Sequence, residues 1–143
     1  MSKRFTVEAG FFEDIAAGLE GELGPAYDVI RRPRFERWMD LAEPADLAVR
    51  DRESGQITLI AIKVGVTEDN HLPMLGTMAE MWRLKERNAH LQPAVVLVSA
   101  AIVFDTLEQW LSVRDIPVIR GRTSGEIVPR LAEVIMAGAV AHR

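Results

Sequence analysis

Phe12, Ile15, Ala16, Leu19 and Leu23 recur through residues 8–24 at spacings of three and four. That is the apolar stripe of an amphipathic helix, and Gly24-Pro25 closes it. The period then changes. "AYDVIRRP" (26–33) reads as a strand that Pro33 ends, and residues 35–43 read as a second extended piece. "DLAVRD" (46–51) and "QITLIAIKVGV" (56–66) read as a hairpin joined by the turn residues "RESG". Pairing Asp51 with Gln56 sets Asp46 opposite position 61. Strand alternation then places Leu59, Ala61 and Lys63 on one face and Ile60, Ile62 and Val64 on the other. A slip of one residue would reverse the faces.

The second half alternates. Residues 73–90 carry Leu75, Met78, Ala79 and Trp82 at helical spacing, with Pro73 suited to a first turn. "PAVVLVS" (93–99) is a continuous apolar run, as in a strand covered on both faces. "FDTLEQWLSV" (104–113) is a short helix, "IPVIRG" (116–121) a strand, and "SGEIVPRLAEVIMAGAV" (124–140) a closing helix with Pro129 near its start. "RTSGE" holds a capping pattern and lacks the GxxxxGK[ST] spacing of a phosphate loop. A meander followed by helical crossovers predicts an α/β fold with a mixed sheet. No repeat or linker interrupts it, so residues 1–143 read as a single domain.

Composition narrows the chemistry. The chain is 48% hydrophobic and 27% charged, which is the composition of a folded protein rather than a disordered one. It has no cysteine, so disulfides and thiolate metal sites are excluded. His71, His90 and His142 lack the spacing of a histidine-built zinc site. No apolar run reaches the roughly 18 residues of a membrane span, so no membrane contact is expected and the default compartment is the cytoplasm. A net charge of −4 means that any nucleic-acid contact must come from a local patch.

Lys63 stands out inside "LIAIKVG", because a lysine is seldom buried without a partner. Taken alone, it fits a strand end that lays its methylenes on apolar surface and its ammonium in water. With Asp46 on the same face across a hairpin, a functional pair becomes an equal alternative. An initial helix, a meander bearing an aspartate, a strand bearing x-x-Lys, a helix and a strand resemble the PD-(D/E)xK nuclease superfamily, over roughly residues 8–99. The resemblance implies a restriction-endonuclease-like fold, with a mixed central sheet flanked by helices as an αβββαβ core plus a C-terminal βα extension.

By that resemblance Asp46 would hold Mg²⁺ and Lys63 would polarise the attacking water. Glu13 or Glu20 of the first helix would support them. An active chain would be a metal-dependent endo- or exodeoxyribonuclease. The second motif carboxylate is replaced by Ala61, and one remaining carboxylate pair would hold Mg²⁺ only weakly. Three explanations fit that alanine. The chain is a natural degenerate member, or glutamate was replaced by engineering, or the following helix supplies the carboxylate from Glu68 or Glu80.

"RRPRFER" gathers arginines, among them Arg31, Arg32 and Arg34, which could contact DNA phosphates, with Trp38 beside them as a stacking platform. The bland alternative is a solvated loop of Arg–Glu pairs. Trp82 and Trp110 sit at packing positions, and His71 reads as a surface residue at a helix start. The competing function is a non-enzymatic module that binds a protein partner or forms a homo-oligomer, using apolar surface such as residues 74–81 or "IMAGAV".

Overall fold

The computed structural model describes residues 2–31, 46–64, 71–98 and 105–141. Its elements run α1 (Ser2–Leu23), β1 (Tyr27–Arg31), β2 (Leu47–Asp51), β3 (Ile57–Val64), α2 (His71–Arg87), β4 (Leu91–Val98), α3 (Asp105–Val113), β5 (Val118–Gly121) and α4 (Ser124–Ala141). The extended piece expected over residues 35–43 lies outside the described residues, as do Arg32, Arg34, Trp38 and Glu68.

Five strands form one mixed sheet in chain order. β1, β2 and β3 are antiparallel neighbours, whereas β3, β4 and β5 run parallel. The change of direction has a covalent cause. The tight turn between β2 and β3 can only reverse the chain, while α2 and α3 are long enough to return it to the starting edge. The α/β class and the mixed sheet are as the patterning predicts. Among the described residues, no helix is long and apolar enough to cross a membrane.

Helices α1 and α4 cover one face of the sheet. Ile15, Leu19, Leu131 and Ile135 pack over Leu47, Val49, Ile60, Ile62 and Val96, all buried. The α1 stripe is therefore the buried stripe. On the opposite face, α2 packs on β4, and its Met78 and Met81 are fully enclosed, as are Leu59 and Ala61 of β3. Both faces of β3 are thus dry from Leu59 to Ile62, which accounts for the apolar run over those residues.

β4 begins at Leu91, earlier than expected, and so takes in Pro93. A proline lacks the N–H of a central strand. It is tolerated here because β5 pairs with β4 only from Val95 onward. At the start of α4, Thr123 Oγ1 accepts the Glu126 N–H and Glu126 Oε2 accepts the Arg122 N–H, so "RTSGE" is a helix cap.

Gly18 sets the separation of α1 and α4. A Cβ placed there would lie 2.8 Å from Val128 Cγ2, well inside van der Waals contact. Gly18→Leu is expected to lower stability by about 2–3 kcal/mol through overpacking. A urea midpoint at or above that of the parent would show that the helices can separate without cost.

Candidate functional site

Asp46 stands at the mouth of the β2–β3 hairpin. Asp51 N–H donates to Gln56 O at 2.9 Å, and the ladder runs as the sequence predicts as far as Leu47 opposite Ile60, ending one residue before the expected pairing of Asp46 with position 61. What Asp46 does there is less expected. Its own N–H donates to Ile60 O at 2.8 Å, one residue off the ladder. Its Oδ2 accepts the Ile62 N–H at 2.7 Å. The carboxylate occupies the place of the next β2 carbonyl, satisfying a strand donor that would otherwise be orphaned.

Ala61 is 0% exposed. Lys63 lies on β3 opposite Leu97, and strand alternation puts it on the side of Leu59 and Ala61. Its amine lies outside the described side chains.

Glu13 and Glu20 do not join this group. Both bind Arg31. Arg31 Nε and Nη2 donate to the two Glu13 oxygens at 2.8 and 2.9 Å, and Nη2 also donates to Glu20 Oε1 at 2.6 Å. The cluster sits over β1 on the α1 side, so the sheet separates it from positions 61 and 63. One helix face carries both acids because they are seven residues apart, and the edge strand meets that face with a cation. Arg31, the described member of the expected phosphate-binding set, therefore has two carboxylates already on its guanidinium.

A second cluster has no counterpart in the expectations. Asp28 of β1 accepts from Arg50 Nη2 at 2.8 Å and from Arg52 Nη2 at 2.6 Å. Asp28 faces Arg50 across the β1–β2 ladder, a cross-strand pair of opposite charge. The bonds from Arg52 and then Arg50 hold the Asp28 carboxyl below its ordinary value of 3.8. A lowered acid keeps its ion pairs down to a lower pH and loses them as pH falls through the folded value. A carbon-detected NMR titration is expected to place Asp28 below the usual carboxylate range, and Arg52→Gln to move it back up. An unchanged midpoint in that variant would remove Arg52 as the main cause.

Trp82 and Trp110 each lie against a cation. The Arg114 guanidinium lies 4.0 Å from the Trp110 ring centroid and 5.8 Å from that of Trp82, and Lys85 Nζ lies 4.6 Å over Trp82. This stack ties α3 to α2. Of the alternative carboxylates, Glu80 Oε1 accepts from Arg83 at 3.1 Å, and its Oε2 is enclosed without a hydrogen-bond partner. His71 begins α2.

Magnesium needs several oxygen ligands in octahedral geometry, commonly including one or two carboxylates. Among the described residues, no three acidic or histidine side chains converge to hold a metal ion. Asp46 has one oxygen committed to the sheet, and the position of the second motif carboxylate is an enclosed methyl group, Ala61. That donor set does not fit the ion. Comparison with known protein families, with curated proteins and with solved structures finds no match to this chain.

Proposed function

We propose that this chain is a cleavage-dead member of the PD-(D/E)xK nuclease-like group that binds DNA without hydrolysing it. The element order helix, three-strand meander, helix, strand supports the likeness, as do the bonds from Asp46 to Ile60 and Ile62, which put its carboxylate on the strand segment that holds the position of the missing one. One observation carries the loss of cleavage. The Asp46 carboxylate serves as a strand cap for Ile62 beside a sealed Ala61, where a nuclease would present two free carboxylates. Phosphodiester hydrolysis then lacks the metal-centred charge stabilisation that makes it fast.

With Arg31 held by Glu13 and Glu20, the phosphate contacts are assigned to Arg32 and Arg34, with Trp38 near them in the chain. Labelled duplex DNA titrated at two salt concentrations with Mg²⁺ present tests the reading. Binding is expected to weaken with a log–log slope of about −0.9 for each phosphate neutralised, and no cleavage product is expected. Metal-dependent cleavage that Lys63→Ala abolishes would overturn the claim of lost catalysis.

A different observation favours the non-enzymatic partner-binding alternative. The described guanidiniums of Arg31, Arg50, Arg52, Arg83 and Arg120 each face a carboxylate, which reduces their pull on phosphate. Absence of salt-sensitive DNA binding would leave this second reading in place.

A further inference from the structure

Gln56 is 3% exposed, yet the oxygen of its side-chain amide has no hydrogen-bond partner among the described residues. Its Oε1 is enclosed, and its backbone is held in the turn, with Gln56 N–H donating to Ser54 Oγ at 3.2 Å and Gln56 O accepting the Asp51 N–H at 2.9 Å. Buried amides nearly always have partners, and leaving one unpaired costs the desolvation of each of its polar atoms. The amide lines a cavity of about 150 Å³ under the C-terminal half of α4. Gly138 makes the room, because a Cβ there would sit 3.3 Å from Gln56 Nε2.

The walls combine apolar Pro93, Pro117 and Val134 with the polar groups of Gln56, Thr58, Gln92 and Asp115. A volume of this size holds a molecule about as large as benzene. An amide can present either its oxygen or its nitrogen after a half-turn about its last torsion, so Gln56 asks for a ligand that both donates and accepts. The hydroxyl of Thr58 serves either role, and the carboxylate of Asp115 is acceptor-only and repels anions.

We propose that this cavity is a binding site for a small neutral molecule carrying a carboxamide or urea group. The group pairs with the Gln56 amide while its alkyl or aryl portion lies on Pro93, Pro117 and Val134. The site is independent of the DNA-binding reading. Thr58 and Lys63 stand at opposite ends of β3, about 16 Å apart along the strand.

The test is a ¹⁵N NMR titration of the full chain with butyramide, using butyrate as the charged control and Gln56→Met as the variant. Saturable shifts are expected at the Gln56 side-chain amide and the Gly138 N–H, with millimolar affinity, and butyrate is expected to produce none. Methionine keeps the length of the side chain and removes its polar atoms, so the variant should fold and bind butyramide roughly ten-fold more weakly. Three outcomes would overturn the proposal. They are no saturable shift in the parent, equal shifts with butyrate, and undiminished binding by a folded Gln56→Met protein. If the Gln56 amide protons exchange with a long-lived water and ignore butyramide, the cavity is a hydration site only.

Discussion

Ala61→Glu is expected to destabilise the protein by about 3–5 kcal/mol, the cost of an unmatched buried charge, and to leave DNA uncut. From the motif alone the opposite result would be expected, since the change restores the missing carboxylate beside Lys63. Burial reverses the expectation. Ala61 is 0% exposed, and Leu59, Met78 and Met81 on the same side of the sheet are equally enclosed. β3 is hydrogen-bonded to β2 along one edge and to β4 along the other, so the strand cannot easily shift to admit a longer side chain.

Desolvation would raise the pKa of the new carboxyl, and an acid raised in the folded state takes up a proton that the unfolded chain does not hold. Stability of the variant should therefore fall as pH rises from about 5 to about 8. Urea midpoints at both pH values check this, with Ala61→Gln separating size from charge. Comparing Ala61→Glu with Ala61→Glu/Lys63→Met measures whether the lysine reaches the new acid. Parental stability together with Mg²⁺-dependent cleavage would show that the site is open.

Asp51→Ala is expected to cost about 1–3 kcal/mol, since it strips several part-buried donors of their acceptor at once. The residue is 2% exposed. Its Oδ1 accepts the Glu53 N–H at 3.2 Å, and its Oδ2 accepts the Ser54 N–H at 3.3 Å and the Ser54 hydroxyl at 2.7 Å. The Gly55 N–H closes onto Asp51 O at 2.8 Å, with Gly55 in the left-handed region at φ 78° that favours glycine. One side chain thus determines the turn that sets the register for Asp46. Asp51→Asn should retain part of the stability, because its single carbonyl oxygen can still accept. Thermal and urea denaturation measure both variants. A loss below about 1 kcal/mol in Asp51→Ala would mean that the backbone holds the turn unaided.

The turn also explains why the hairpin was legible. "RESG" between two apolar runs permits few closures, and the pairing of Asp51 with Gln56 brings the rest of the strand into line. The same holds for α1, whose stripe from Phe12 to Leu23 needs only the helical period to be read. The pairing of Asp28 with Arg52 was not legible, because it depends on which strands become neighbours. Nor was the destination of Glu13 and Glu20. Their spacing places them on one helix face, but the spacing is silent about whether that face meets a metal, a phosphate or Arg31.

By itself, then, the sequence determined the local order. It set the helices and strands, their chain order, the hairpin register, and the alternation that gives Ile60 and Ala61 opposite faces. These follow from short-range periodicity and turn chemistry, which act within a few residues. Tertiary structure alone decided that Ala61 is sealed, that the Asp46 carboxylate is spent on Ile62, and that the Gln56 amide lines a cavity beneath Gly138. Burial and hydrogen-bond partnership are set by segments distant in the chain, and no local pattern encodes which of them will arrive.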